Sequence, residues 1–217
     1  MSFDEKQFVT SLAELDAMVP PPGEGAAGKT MPRIERYARQ FIGLSPFCCL
    51  ATSDGKGHAD VTPRGDQPGF VRVIDEATLL IPDRPGNNRL DSIRNVVENP
   101  SLGLLFFIPG FEDTLRVNGR GRVTKDPGLL AESAVDGKVP RFGILVTVDE
   151  AFFHCAKAFR RSRLWDVNAQ VPRATMPTLA RMIMDQMAEV ANQEKPAQAE
   201  VSAVDAEIEE DYRTQLY

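Results

Sequence analysis

Between Phe47 and Val148 the chain is cut into short apolar or alternating runs, each closed by a tight turn, with one helical pattern between them. Phe47–Thr52 leads through Ser53-Asp-Gly-Lys-Gly57 to Ala59–Pro63, a pair of strands joined by hairpin chemistry. Phe70–Ile74 and Thr78–Pro82 form a second pair, turning at Asp75-Glu-Ala77. The spacing of Leu90, Ile93, Val96 and Val97 predicts a helix over Arg89–Glu98, ended by Asn99-Pro100. Leu102–Ile108, the alternating Thr114–Thr124 and Gly143–Val148 supply further strands, with a helix near Pro127–Val135. Strands and helices do not alternate, so a parallel α/β architecture fits poorly. Six or seven short antiparallel strands crossed by one helix predict a small β-barrel. Gly119-Arg-Gly121 lies inside a strand and opens no helix, so it reads as a close backbone approach rather than a dinucleotide loop.

The flanks are helical. Ser11-Leu-Ala-Glu14 is a capping-box pattern ahead of a short helix that stops before Pro20, and Ile34, Tyr37, Phe41, Ile42 and Leu44 make a helical stripe. Beyond the strands, Leu179, Met182, Ile183, Met187 and Val190 share one face of a helix over Thr178–Asn192. A linker over Gln193–Ala199 precedes an acidic helix bearing Val201, Val204, Ile208 and Tyr212. That last helix either folds back on its own core or reaches across a partner subunit. Four regions result: a helical segment over 1–46, the barrel over 47–150, a helical segment over 151–192 and the acidic helix or arm over 193–217.

With 217 residues and 42% apolar content the chain can bury a sizeable core. A net charge of −6 argues against nucleic acid as a partner. No apolar run approaches the roughly 20 residues a membrane helix needs, and Met1–Thr10 lacks a basic start ahead of an apolar stretch, so a cytoplasmic protein is expected. Three cysteines and two histidines, without Cys-x-x-Cys or His-x-x-x-His spacing, predict neither a disulfide framework nor a metal site. Cys48 and Cys49 read as strand packing, and His154 beside Cys155 as a reactive pair at most.

Three segments carry chemistry. Asp60-Val-Thr-Pro-Arg-Gly-Asp66 brings Arg64 to the end of a strand. Leu79–Ser92 runs from an apolar strand through Arg84, Pro85, Gly86, Asn87, Asn88 and Arg89 into a helix start, where free N–H groups and the helix dipole favour an anion. In the third, Lys157, Arg160, Arg161 and Arg163 cluster beside Trp165, the single tryptophan. Arginine grips phosphate bidentately, asparagine completes the grip without adding charge, and tryptophan offers a flat surface to an aromatic ring. The residues alone therefore reach as far as an anion-binding β-barrel.

Taken together, these segments resemble the pyridoxamine 5'-phosphate oxidase-like, FMN-binding split-barrel family over roughly Phe41 to Val148. The resemblance is carried by Asp60–Asp66, by Leu79–Asp83 with the Asn/Arg turn, by Arg94-Asn-Val-Val-Glu-Asn-Pro100 ahead of Leu102–Phe107, and by Leu115-Arg-Val-Asn-Gly119. It implies a mainly β fold with flanking helices (α+β), a split β-barrel, and a homodimer binding FMN between its subunits. On that resemblance Thr62, Pro63, Arg64, Gly65 and Asp66 lie along the flavin edge. Ile81, Pro82, Asp83 and Arg84 line the ring and ribityl chain, Asn88 and Arg89 hold the phosphate, and Asn87 stands among the cofactor-binding residues beside them. Thr114 stands where family oxidases often carry a glutamine that reaches the flavin, and the Lys157–Trp165 segment comes from the other subunit. Ser92 occupies a position where many members have a phosphate-binding lysine. The chain also lacks the Arg-x-His element and the terminal Arg-Leu-x-Pro signature of true pyridoxamine phosphate oxidases, which argues against vitamin B6 as substrate. The expected function is an FMN-dependent oxidoreductase acting on a small molecule, with NAD(P)H as a candidate reductant and no side-chain nucleophile. The alternatives are a non-catalytic flavin sensor or carrier, or a relative holding a deazaflavin or haem.

Overall fold

The computed structural model describes residues 3–217 and has, in chain order, α1 (Leu12–Met18), α2 (Glu24–Ala27), α3 (Arg36–Leu44), β1 (Phe47–Ser53), β2 (Ala59–Gly65), β3 (Arg72–Val73), β4 (Thr78–Pro82) and α4 (Asp91–Glu98). There follow β5 (Ser101–Phe107), β6 (Thr114–Thr124), α5 (Pro127–Ala131), β7 (Gly143–His154), α6 (Lys157–Ser162), α7 (Leu179–Val190) and α8 (Gln198–Thr214). The strands form one seven-stranded sheet in the order β2-β1-β5-β6-β7-β4-β3, every neighbouring pair antiparallel. This is the expected split barrel with flanking helices. Its two ends, β2 and β4–β3, are not hydrogen-bonded to each other.

Alternation along the strands decides which face is filled. Cys48 and Leu50 on β1, Leu102, Leu104 and Phe106 on β5, and Leu115 and Val117 on β6 point into one core with Ile144, Val146 and Val148 of β7. Buried Ala38, Phe41 and Ile42 of α3 join it. The Cys48 thiol is pushed up to about 12 by burial, next by the Cys49 thiol beside it, with Arg64 opposing, so it behaves as an inert packing group.

The Gly119-Arg-Gly121 segment is a close approach, as its sequence suggests. The β6–β7 register shifts between Asn118 and Gly119, a bulge that bends the two longest strands. A Cβ on Gly119 would collide with the Thr147 carbonyl. One on Gly121 would come within 2.7 Å of Leu102, 2.9 Å of Ile144 and 3.0 Å of Val96, the last on α4. Gly121 thus sets how closely α4 lies on the barrel.

Several boundaries differ from the sequence expectation. α4 begins at Asp91 rather than Arg89, because Leu90 adopts a left-handed conformation (φ +58°) that keeps the preceding turn out of the helix. The strand expected over Phe70–Ile74 shrinks to Arg72–Val73, since it pairs on one side only. The last barrel strand extends to His154 because all of β6 pairs with it. The acidic helix α8 packs against α7 of its own chain.

Gly121→Ala should lower unfolding stability by about 1–3 kcal/mol, the cost of overpacking a filled core. An unchanged urea midpoint would show that α4 shifts freely and that Gly121 does not set its seat.

Candidate functional site

A hollow of about 910 Å³ opens where the barrel is split. One wall is β2, from Asp60 to Gly65. As an edge strand it tolerates Pro63 and leaves Val61 71% exposed. The opposite wall is the end of β4 with the turn into α4: Pro82, Asp83, Arg84, Asn87, Asn88 and Arg89. A third side comes from Lys138 to Phe142, ahead of β7, and from Gln215 and Tyr217 beyond α8.

Two reciprocal ion pairs span the split. Arg64 of β2 donates to Asp83 at 3.2 Å, and Arg84 beyond β4 donates through Nε to Asp66 at 2.6 Å. All four side chains are largely buried, Asp66 to 2% exposure. Arg84 also donates to the Ser133 carbonyl at 2.8 Å. The Tyr217 hydroxyl and the Gln67 N–H each donate to the other Asp66 oxygen at 2.6 Å. Burial pushes the Asp66 carboxyl up, but hydrogen bonds from Tyr217, Gln67 and Arg84 outweigh it and hold the group below the ordinary carboxylate range. At Asp83 burial prevails over Arg64 and the carboxyl is raised.

Donors remain for a ligand. Arg64 Nε is buried without a hydrogen-bond partner among the described residues. The start of α4 borders the cleft, and its Leu90 cap provides no side-chain acceptor for the first N–H groups. Asn88, also left-handed at φ +55°, turns the chain there. Arg89 lies at this point with its side chain 72% exposed and donates to Asp91 at 2.8 Å. An anion suits this donor set: a guanidinium nitrogen on one wall, and amide and guanidinium groups at a helix start.

Of the residues singled out from sequence, Thr62, Pro63, Arg64, Gly65, Pro82, Asp83, Arg84, Asn87, Asn88 and Arg89 border this one cleft. Asp66 lies behind it, holding Arg84. Ile81 turns into the core at 2% exposure. Thr114 is buried at the start of β6, in register with His154. Trp165 faces a separate hollow of about 440 Å³, its ring 5.7 Å from that of Phe159 and its Nε1 donating to the Phe111 carbonyl. Lys157, which opens α6, borders neither hollow. Within one chain, Thr114, Lys157 and Trp165 are therefore not brought to the cleft.

Sequence reasoning missed Lys138, Arg141, Phe142 and Tyr217, which join the site from loops without a motif. It also missed the role of Asn95. That side chain donates to Asp60 at 2.6 Å and to Thr52 at 3.1 Å, tying α4 to β2 and β1. His154 packs its ring 5.0 Å from Phe152, and burial followed by Arg116 and Lys29 lowers its pKa. Among the described residues no three His, Cys, Asp or Glu side chains gather as metal ligands, and no helix is long and apolar enough to cross a membrane.

A family model described as pyridoxamine 5'-phosphate oxidase matches residues 34–155, more than half of the chain. No curated protein matches the sequence. Among solved structures, HupZ of Group A Streptococcus aligns at 16% identity and TM-score 0.46, over 55% of this chain and 93% of its own. A NimC/NimA family protein of Clostridium acetobutylicum aligns at 19% identity and TM-score 0.42, over 56% and 87%. A protein of that organism related to general stress protein 26, of the pyridoxinephosphate oxidase family, aligns at 12% and 0.40, over 54% and 85%.

Asp66→Asn should cost about 3 kcal/mol of stability, the low end for breaking a buried ion pair. A lowered carboxyl stabilises above the ordinary aspartate pKa of about 3.9, and that contribution vanishes as pH falls through the lowered value. The two proteins' unfolding free energies should therefore converge in acid below that window. A constant gap down to the lowest accessible pH would mean that charge on Asp66 is not what ties the split.

Proposed function

The chain belongs to the pyridoxamine 5'-phosphate oxidase family, and from that premise we propose that it is an FMN-dependent oxidoreductase acting on a small molecule. The observation that carries this reading is the cleft at the split. There the partnerless Nε of Arg64 and the uncapped start of α4 stand at the edges of one hollow. Its size suits a cofactor-sized ligand.

FMN, when bound, supplies the hydride or electron transfer. The protein binds, orients and tunes. Asn87, Asn88 and Arg89 would hold the phosphate at the start of α4, where the exposed Arg89 guanidinium pairs with Asp91. Thr62–Gly65 and Pro82–Arg84 line the ring and ribityl chain. Arg64, oriented by Asp83, would supply positive charge to a reduced ring, a preorganised electrostatic role. Asp66 and Arg84 tie the two walls of the cleft together.

The active form is a homodimer in the cytoplasm. The segment bearing Lys157 and Trp165 lies away from its own chain's cleft, so its part in a flavin site requires a second copy. The exposed edge β2, with Val61, offers a surface for that copy. NAD(P)H is the candidate reductant.

The purified protein should be yellow, with the visible band of oxidised flavin, and should run at twice the chain mass in light scattering. A colourless preparation that acquires no flavin on FMN addition removes the cofactor. Arg89→Ala should weaken FMN binding by about 1.5–3 kcal/mol, the range for a charged hydrogen bond, and leave riboflavin binding unchanged. Equal losses for both ligands would put the phosphate elsewhere. Anaerobic reduction by NADPH or NADH, followed by oxygen, separates an enzyme from a carrier: reduction too slow to turn over favours the carrier.

A further inference from the structure

Resting on the reading of this cleft as a flavin site, we propose that Tyr217 is its gate: the segment Gln215–Tyr217 straps one side of the cleft and sets how fast the flavin enters and leaves. Three anchors hold the strap, each on a different part of the site. The Tyr217 hydroxyl donates to Asp66, just beyond β2, at 2.6 Å across 151 positions of sequence. Its ring centroid lies 5.7 Å from the Arg84 guanidinium on the opposite wall. Lys138, on the third side, donates to the Tyr217 carbonyl oxygen at 2.6 Å. The strap therefore bridges both lips of the split.

The same contacts show how it opens. When Tyr217 leaves, Asp66 keeps Arg84 on one oxygen and the Gln67 N–H on the other, so no buried charge is orphaned. The freed phenol and the Lys138 ammonium go to water, which satisfies both. Behind the strap, α8 buries only Val201, so little packing opposes movement of the residues after Thr214. The hollow of about 910 Å³ exists with the strap in place, so Tyr217 closes a side of the cleft without filling it. A strap of this kind alters rates of entry and exit together.

Stopped-flow measurement of FMN association and dissociation tests the gate in the 217-residue chain. Tyr217→Phe keeps the ring and loses the Asp66 bond; both rate constants should rise by about threefold to tenfold, the scale of one hydrogen bond, while affinity moves less than twofold. Tyr217→Ala should raise both further. Faster dissociation alone, with a matching loss of affinity, would make Tyr217 an ordinary contact and overturn the gate. Unchanged rates would overturn it too. An independent arm needs no flavin: nuclear Overhauser contacts between the Tyr217 ring and the Arg84 side chain should be present in flavin-free protein, and their absence removes the strap whether or not FMN binds. If FMN binds neither form, the flavin reading falls together with the gate's role, while the Overhauser contacts still report whether the strap is docked.

Discussion

The pairing of Arg64 with Asp83 and of Arg84 with Asp66 is the interaction on which the rest of the site depends. Backbone hydrogen bonds join seven strands into one sheet but leave its two ends, β2 and β4–β3, unbonded to each other. The two ion pairs cross that gap in opposite directions. A buried pair adds little net stability, because desolvation offsets attraction, but breaking one is costly. That asymmetry suits a split that must stay at one width. It leaves a cleft with fixed walls rather than a closed barrel or a slack one.

The cations around the cleft divide their work according to burial. Arg84 is enclosed, with Asp66, the Ser133 carbonyl and the Tyr217 ring around it, and is committed to structure. Arg64 is half committed, one nitrogen on Asp83 and its Nε without a partner. Arg89 is open to water and held only by neighbouring Asp91. From the inside outwards, these side chains pass from holding the protein to being free for a ligand. Sequence alone made Arg84, Asn87, Asn88 and Arg89 look like one grip; burial separates them.

Much of this was legible in the chain. The apolar runs Phe47–Thr52 and Leu102–Ile108 marked two strands, although only the structure showed which of their residues face inward, and the Asp-Gly and Asp-Glu-Ala turns gave antiparallel pairing. Asp60–Asp66 and Leu79–Arg89 could be named as site segments because each carries its own local signal, a strand ending in a Gly turn or a strand entering a helix. Lys138 and Tyr217 carry none. Their roles arise from contacts across 79 and 151 positions, which no periodicity encodes. The start of α4 was misplaced for a related reason: the left-handed Leu90 is unusual for a branched apolar residue, and the surrounding turn imposes it.

By itself the sequence determined the strand pattern, the antiparallel class and the two segments that meet at the cleft, because hydrophobic period and turn chemistry act over a few residues. Only the tertiary structure decided that those segments meet across a split held by crossed ion pairs. It also decided that Ile81 and Thr114 turn inward, that Trp165 stands apart, and that Tyr217 returns to the cleft. Those outcomes depend on which distant groups desolvate one another, and that is settled only when the sheet assembles.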